Sequence, residues 1–322
     1  MKIILKTIAF LGIFATTACS QAETAPEKEQ TAPADTISLI QDPLFERGLS
    51  LKRADPNQPS AGVIHPFGSS AEAPLWELAE WATKFYLTEN DKRTSNRTVS
   101  YSNAGKRLQF NKSEDGLEIT MEVITSEEYE RPRQQNEAWP HLLIEQTFPE
   151  KPLLKDLSKL ILKFEGKLNF AEMKMSEAAF DPGLHAAQFQ LFLTVQNRNP
   201  NSAYYGDFLW FGIPFYDFRH KVQEVYAAQD VGKGDATGKF IYSLGNRDYM
   251  EGTFHDQEWI QIEKDLYPLI LNALEVAKDR GYLTGTFFEE FSLSGMNLGW
   301  EVPGTFDASF SFKGLELLAI QE

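Results

Sequence analysis

A strand-like segment beginning at Gln188 carries the side chains best suited to ligand binding. Gln188, Gln190, Thr194 and Gln196 would share one face of a β-strand, because side chains alternate between the two faces of a strand. Amide and hydroxyl groups both donate and accept hydrogen bonds, as sugar hydroxyls require of a partner. The spacing therefore predicts a polar ligand-binding face.

Residues on either side of this segment extend the predicted site. His185 precedes the strand, Arg198 follows it, and Tyr205, Trp210 and Arg219 come after them. Aromatic rings pack against the apolar faces of sugar rings, and binding sites commonly combine such rings with a few polar groups. These residues predict a carbohydrate-binding groove. A solvated outer strand face beside ordinary core aromatics would give the same pattern.

A second polar cluster occupies residues 130–141. It contains Arg131, Arg133, Trp139 and His141, and two prolines favour a loop there over the centre of a strand. The cluster could lie at the mouth of the groove. Alternatively, its arginines could pair with neighbouring glutamates.

An enzyme that degrades polysaccharide is the main alternative to a binding protein. Glycosidases need two carboxyl groups, and Glu118 and Glu122 would share a strand face. A lyase needs a His or Tyr base and a group that neutralises a carboxylate, and His185, Tyr205 and Arg198 supply these types. A third alternative is a structural envelope protein whose polar face meets another protein.

The sequence predicts no cofactor. The five histidines lack the close spacing of a zinc motif, and no phosphate-binding loop or dinucleotide fingerprint is present. Residues 230–235 contain carboxylates and glycines without the spacing of an EF-hand. A structural Ca²⁺ ion bound there remains an alternative.

The elements that must position these residues are mainly strands. Apolar residues alternate with polar ones in residues 116–123, 159–164 and 188–196, which is typical of half-buried strands. Further strands are predicted at residues 142–148, 207–213, 239–243, 287–293, 297–302 and 306–317. The series predicts a mainly β fold, an antiparallel sandwich.

Two helices are predicted beside the strands. Residues 266–280 have apolar side chains at helical spacing, with Asp265 as N-cap and Gly281 as a stop. A second helix is predicted near residues 75–87, because apolar residues after Pro74 also follow this spacing.

The last strands carry a family resemblance. Residues 297–307, followed by Phe310 and Phe312 in alternation with serines, resemble the closing strands of concanavalin A-like and galactose-binding-like jelly rolls. This resemblance implies a jelly-roll sandwich and a glycan ligand. It does not choose between binding and cleavage, because one fold hosts many functions.

The N-terminus predicts the cellular location of the protein. Lys2 and Lys6 precede an apolar run that is too short to span a bilayer, and Thr16-Thr17-Ala18-Cys19 closes it. The segment resembles the signal peptides of bacterial lipoproteins, although Thr16 replaces the usual Leu. The resemblance implies that residues 1–18 are removed and that Cys19 is lipidated. It further implies a membrane anchor in the cell envelope, with Ser20 favouring the outer membrane.

Composition and charge complete the predicted organisation. Residues 19–36 are polar and rich in Pro and Glu, which predicts a disordered tether before one domain at residues 37–322. Without residues 1–18 the formal charge of −15 becomes −17, because Lys2 and Lys6 are lost. An acidic chain is a poor binder of nucleic acid. With the single cysteine acylated, disulfides and thiol chemistry are excluded.

Overall fold

The computed structural model describes residues 35–53, 60–114, 116–231 and 236–321. These residues form 17 β-strands, one α-helix and six short 3-10 helices. The strands are β1 (Thr36–Ser38), β2 (Leu49–Lys52), β3 (Val63–Ile64), β4 (Trp76–Ala79), β5 (Lys92–Ser95), β6 (Thr98–Ser102), β7 (Lys106–Ser113), β8 (Gly116–Ile124), β9 (His141–Thr147), β10 (Leu157–Met173), β11 (Gln188–Asn197), β12 (Phe208–Asp217), β13 (Tyr226–Gln229), β14 (Phe240–Ser243), β15 (Ile260–Asp265), β16 (Phe291–Glu301) and β17 (Phe306–Gln321). The α-helix is α1 (Tyr267–Asp279). The 3-10 helices are Glu89–Asp91, Leu154–Asp156, Glu177–Ala179, Asn246–Asp248, Phe254–Asp256 and Phe288–Glu290.

The predicted leader, Cys19 and nearly all of the predicted tether lie outside the described residues. Within the described residues, no helix is both long and apolar enough to cross a membrane.

The strands form two sheets. Sheet A has eight strands in the order β15-β10-β17-β8-β7-β6-β5, with β1 also paired to β17. Sheet B has nine strands in the order β13-β14-β12-β11-β16-β9-β4-β2-β3. The pairs are antiparallel except β12 with β14 and β2 with β4, which are parallel.

The two sheets pack face to face around an aromatic core. Phe164 of sheet A stacks on Phe215 of sheet B with ring centroids 4.1 Å apart, and Phe189 of sheet B stacks on Phe310 of sheet A at 4.2 Å. The indole of Trp300 donates a hydrogen bond of 2.9 Å across the sandwich to the carbonyl oxygen of Met121. Stacked rings and a satisfied indole N–H allow large side chains to fill the interior without a buried unpaired donor. The predicted mainly β sandwich is confirmed.

The alternation predicted for residues 188–196 is present in β11. Phe189, Leu191, Leu193 and Val195 are all buried in the core. The polar residues between them point to the opposite face of sheet B, because successive side chains of a strand alternate.

The helix predicted at residues 266–280 is confirmed as α1. Its buried side chains are Ile270, Ala273, Leu274 and Ala277. The N-cap is Leu266 and not the predicted Asp265, although the Asp265 carboxylate accepts a hydrogen bond from the N–H of Tyr267. Gly281 follows the end of the helix with a φ of 85°. The helix contacts β10 of sheet A and β12 and β14 of sheet B, so it covers an edge of the sandwich.

The second helix predicted near residues 75–87 is wrong. Strand β4 occupies Trp76–Ala79, and a loop follows in which Ala82 has a φ of 50° that interrupts a right-handed helix. Trp76, Leu78 and Glu80 are all buried. Pairing with β2 and β9 makes these alternate residues face the core, and this tertiary contact outweighs the local helical spacing.

Candidate functional site

The outer face of sheet B, opposite the core, carries most of the predicted ligand-binding residues. Gln188, Gln190, Thr194 and Gln196 of β11 alternate with its core residues and therefore lie on this face. Trp210 of β12 pairs with Thr194, which places its indole on the same face. The structure therefore brings these five side chains together.

An aromatic patch, formed by Phe192, Phe208 and Trp210, lies on this face. The Trp210 ring centroid is 6.0 Å from that of Phe192 and 5.0 Å from that of Phe208, in edge-to-face contacts. The Trp210 Nε1–H donates a hydrogen bond of 3.2 Å to the Thr237 hydroxyl, which fixes the indole. All three rings are half-buried, so they present apolar surface that the sandwich does not cover.

Glycines lie beside the patch on the outer face of sheet B. A Cβ atom on Gly212 would lie 2.7 Å from the Phe192 ring, so the absence of a side chain lets the ring lie over the strand. Gly295 and Gly299 of β16 are on the same face as Gln190 and Thr194, with which they pair. Both glycines are buried, because the neighbouring strand β9 lies close to them: a Cβ atom on Gly295 or Gly299 would lie 2.9 Å or 2.1 Å from a backbone oxygen of that strand.

Asn297 lies on the same face of β16, between Gly295 and Gly299. It pairs with Phe192 of β11 and Glu145 of β9. Its Oδ1 atom is buried and has no hydrogen-bond partner among the described residues. Buried polar atoms are generally paired, so Asn297 carries an unusual unpaired acceptor on the candidate binding face.

A second cluster, the carboxylate corner, surrounds Glu301 at the end of β16. The Glu301 carboxylate lies 3.4 Å from the Gln190 Nε2 and 3.3 Å from the Trp139 Nε1, both of which can donate to it. His141 lies beside it, with Nε2 at 3.3 Å from Glu301 Oε2. Trp81 packs against His141 with ring centroids 5.2 Å apart. We define the carboxylate corner as Trp81, Trp139, His141, Gln190 and Glu301.

The contacts of His141 determine where its hydrogen lies. Its Nδ1 is 2.9 Å from the carbonyl oxygen of Trp139, and because a carbonyl only accepts, Nδ1 carries a hydrogen. Its Nε2 lies 3.3 Å from Glu301 Oε2 and makes no hydrogen bond with a described residue.

Lys52 joins two further carboxylates on the outer face. Its Nζ is 2.7 Å from Glu145 and 3.2 Å from Glu77. Burial raises the pKa of Glu145, against the attraction of Lys52. Burial alone would lower the pKa of Lys52, but the two carboxylates reverse this and raise it.

Gln188 and Arg219 meet at Asp217. The Gln188 Nε2 donates to the Asp217 carboxylate at 2.9 Å, and the Arg219 guanidinium pairs with it at 2.6 Å. The hydrogen bond and charge of Asp217 raise the pKa of Arg219. Arg219 is thus held in an ion pair at the edge of the predicted site.

The remaining predicted residues lie at the ends of β11. Arg198 lies 5.5 Å from the ring centroid of Tyr205, which is about half exposed, and 3.5 Å from the Gln196 side chain. His185 lies in the interior, with Nδ1 accepting from Asp181 N–H and Nε2 contacting the Arg133 carbonyl. Since both its ring nitrogens are engaged in the fold, His185 is not part of the outer face.

The cluster predicted at residues 130–141 is divided by the structure. Arg131 forms an ion pair with Glu137 at 2.5 Å, which agrees with the alternative that these arginines pair with neighbouring glutamates. Arg133 lies over the Trp139 ring at 4.8 Å, and Trp139 and His141 belong to the carboxylate corner. Glu118 and Glu122 lie on sheet A instead, where Glu122 pairs with Arg107.

No group of three metal-ligating side chains occurs in the part of the chain that the structure describes. Residues 230–235, the alternative site of a structural Ca²⁺ ion, lie partly outside the described residues. The Asp230 carboxylate accepts two hydrogen bonds from Thr237. Two surface depressions of about 480 and 340 Å³ lie away from the outer face of sheet B, beside Asn246 and beside Asp42.

The sequence contained signals for two residues that were not predicted as site residues. Leu298, Trp300 and Val302 alternate as core residues, so Glu301 had to point outward. Trp81 was hidden by the incorrect helix. The position of Glu301 next to Gln190 depends on the pairing of β16 with β11, which no local pattern indicates.

Comparisons with known proteins give a likeness in fold. No family model and no curated protein matches the chain. A thermostable cellulase derived from Cel12A of Rhodothermus marinus is 15% identical, with a TM-score of 0.40, over 76% of this chain and 100% of that chain. A family 12 xyloglucanase from Bacillus licheniformis is 10% identical, with a TM-score of 0.43, over 72% and 98%. A family 11 xylanase from Neocallimastix patriciarum is 9% identical, with a TM-score of 0.36, over 71% and 94%. At these identities and TM-scores, the likeness carries no conclusion about activity.

Proposed function

We propose that this chain is a lipid-anchored envelope protein that binds a neutral carbohydrate on the outer face of sheet B. The observation that carries the proposal is the aromatic patch of Phe192, Phe208 and Trp210 beside the amides of Gln190 and Asn297. Aromatic rings with a few convergent hydrogen-bonding groups are the usual elements of a small-molecule site. Sugars offer both an apolar ring face and hydroxyl groups to such a surface.

The charges of this face favour a neutral ligand over an acidic one. Lys52 is engaged by Glu77 and Glu145, Arg219 by Asp217, and Lys239 by Asp207 at 2.7 Å. A uronate polymer would have to compete with these carboxylates for each cation. The formal charge of −15 opposes an anionic polymer as well.

Binding is tested with a panel of soluble polysaccharides in affinity gels, with β-1,4-glucan, xylan, mannan and galactan as neutral members and alginate as an acidic one. We expect retardation by a neutral polymer, no change in the polymer's length and no retardation by alginate. Absence of retardation by every neutral polymer would reject the proposal. The remaining alternative would then be an envelope protein without a glycan ligand.

Cleavage is the second candidate, because two carboxylates lie close together on the outer face. Glu77 and Glu145 contact the Lys52 ammonium at 3.2 and 2.7 Å, so the contacting oxygens lie no more than about 6 Å apart, and glycosidases use a pair of carboxyl groups. Burial raises the pKa of Glu145, as a general acid requires. New reducing ends in the same panel would support hydrolysis, and new absorbance of unsaturated uronates from alginate would support a lyase. If Glu145→Gln no longer produces new reducing ends, hydrolysis is assigned to Glu77 and Glu145.

A further inference from the structure

The carboxylate corner has the chemistry of a second binding subsite. Its Glu301 side chain is 20% exposed, so the carboxylate is held by the fold and still reaches the surface. The oxygens accept hydrogen bonds from Gln190 and Trp139 on the protein side. A carboxylate has about four acceptor positions and makes stronger hydrogen bonds than a neutral acceptor. It can therefore also receive a hydrogen bond from a sugar hydroxyl.

The corner is rigid because several buried contacts hold its members. The Trp139 indole contacts both the Arg133 guanidinium and the His141 ring, which stacks on it with an interplanar angle of 22°. The backbone N–H of His141 donates to the Trp81 carbonyl, and its carbonyl accepts from the buried Lys106 ammonium. A preorganised site loses less entropy when a ligand binds.

The two ends of the face are too far apart for one sugar ring. Glu301 pairs with Gln188, and Trp210 pairs with Thr194, six residues further along β11. At about 3.3 Å per residue, Glu301 and Trp210 are about 20 Å apart along the strand, with Gln190 and Phe192 between them. Glu301 and Trp210 also lie on opposite sides of β11, on β16 and β12.

Polar side chains lie between the two ends of the face. Asn297 of β16 lies between the buried Gly295 and Gly299, and its buried Oδ1 atom has no hydrogen-bond partner among the described residues. Gln190 belongs to the corner and faces Gly299 across the strand pair. A chain of sugars running diagonally over β11 would meet hydrogen-bonding groups along its path.

We infer that the carboxylate corner is a second subsite, and that the ligand is an extended stretch of a neutral polysaccharide that spans both ends of the face. This inference rests on the proposed carbohydrate binding. It adds that one polymer chain contacts the aromatic patch and Glu301 together. Linking two weak contacts in one ligand raises affinity, because the second contact forms at a high effective concentration.

The test uses oligosaccharides from disaccharide to octasaccharide, prepared from whichever neutral polymer of the panel is retained, and isothermal titration calorimetry. We expect affinity to rise with length and to level off once the ligand spans both subsites. Glu301→Gln should weaken the longest ligand about ten-fold or more and leave the shortest nearly unchanged. Glu165→Gln is the matched control, because Glu165 is a partly exposed strand residue of sheet A paired with Lys313.

The outcomes separate this inference from the function on which it rests. Equal affinity at every length, or equal binding of all lengths by Glu301→Gln and the wild type, would overturn the second subsite while carbohydrate binding stands. If no oligosaccharide of the series binds, both the second subsite and carbohydrate binding are rejected. Trp81→Leu gives an independent variant of the corner if Glu301→Gln does not fold, and the same loss restricted to long ligands is expected.

Discussion

Lys106 and Glu80 form a buried ion pair that joins the two sheets. The Lys106 Nζ lies 3.4 Å from Glu80 Oε1, and the side chains are 1% and 0% exposed. Lys106 opens a strand of sheet A, whereas Glu80 follows β4 of sheet B. Burial lowers the pKa of Lys106 and raises the pKa of Glu80, while their mutual attraction opposes both shifts. The pair also supports the carboxylate corner, because Lys106 donates to the carbonyl of His141.

Replacing Lys106 should therefore destabilise the whole sandwich. Lys106→Met removes the ammonium from the buried Glu80 carboxylate and leaves the Arg53 guanidinium at 3.3 Å as its charged partner, and we expect the free energy of unfolding to fall by up to about 3–5 kcal/mol. Urea unfolding followed by tryptophan fluorescence measures the change. Lys163→Met is the control, because its pair with Glu316 is more than 40% exposed on both sides and should change stability by less than about 1 kcal/mol. Equal stability of the two variants would contradict the role of the pair.

Glu137 should titrate far below an ordinary glutamate. The Arg131 side chain and the Gln134 backbone N–H donate to its carboxylate and lower its pKa from 4.5 to about 2. Because the folded-state pKa is depressed, this contribution to stability is present above pH 4.5 and is lost as pH falls towards 2. Carbon-13 NMR of the carboxyl group measures the titration. In Arg131→Gln the pKa should return towards 4.5, and a midpoint that does not move would refute the assignment to Arg131.

The elements predicted correctly are those in which local pattern and tertiary contact agree. In α1 the helical spacing places Ile270, Ala273 and Leu274 against the sandwich. In β11 the period of two separates the core side from the polar side. Residues 75–87 show the opposite case. Glu80 is buried there in an ion pair with Lys106, which is 26 positions away along the chain. No local pattern contains such a contact.

The site shows the same limit. The polar face of β11 could be predicted because alternation within one strand defines it. Its neighbours could not, because β16 pairs with β11 only after a separation of about one hundred residues along the chain. His185 was predicted beside the groove from its position in the sequence, yet hydrogen bonds to Asp181 and Arg133 hold it inside. Sequence proximity thus proved a weaker guide than strand pairing.

Gly299 should tolerate no side chain. Its φ is 150°, and a Cβ atom would lie 2.1 Å from the carbonyl oxygen of Leu142 on the adjacent strand. We expect Gly299→Ala to reduce the free energy of unfolding by about 2 kcal/mol or more, because backbone atoms must shift. Thermal unfolding measures the loss. Gly68→Ala is the control, because Gly68 has a φ of 108° and no atom of the described residues lies within 4 Å of the added Cβ. A smaller loss at Gly299 than at Gly68 would contradict the predicted clash.

Cys19 should carry the lipid anchor. It is the single cysteine of the chain and follows a short apolar segment that ends in small residues. Cells fed an alkyne-bearing fatty acid should label the wild-type protein, which should fractionate with membranes. Cys19→Ser should abolish the label and leave residues 1–18 attached, whereas Ser20→Ala should retain the label. Labelling of Cys19→Ser would show that the anchor lies elsewhere.

Trp210 should supply much of the binding energy at the aromatic patch. Its indole meets the rings of Phe192 and Phe208, and its Nε1–H is held by Thr237, so the ring is fixed before a ligand arrives. Truncating a central, partly buried aromatic residue of an interface commonly reduces affinity about ten-fold or more. We expect Trp210→Ala to weaken binding of the retained neutral polysaccharide by this amount, measured by affinity gels and calorimetry.

A tryptophan on the other sheet distinguishes a local role from a general effect of losing an indole. Trp259 is 37% exposed next to β15, where the Lys313 ammonium lies 5.0 Å from its ring centroid. Trp259→Ala should bind as the wild type does, because sheet A carries no part of the proposed site. Trp210→Phe should bind with intermediate affinity, since it keeps a ring but loses the hydrogen bond to Thr237. If Trp210→Ala is folded and binds like Trp259→Ala, the patch is not where the sugar stacks.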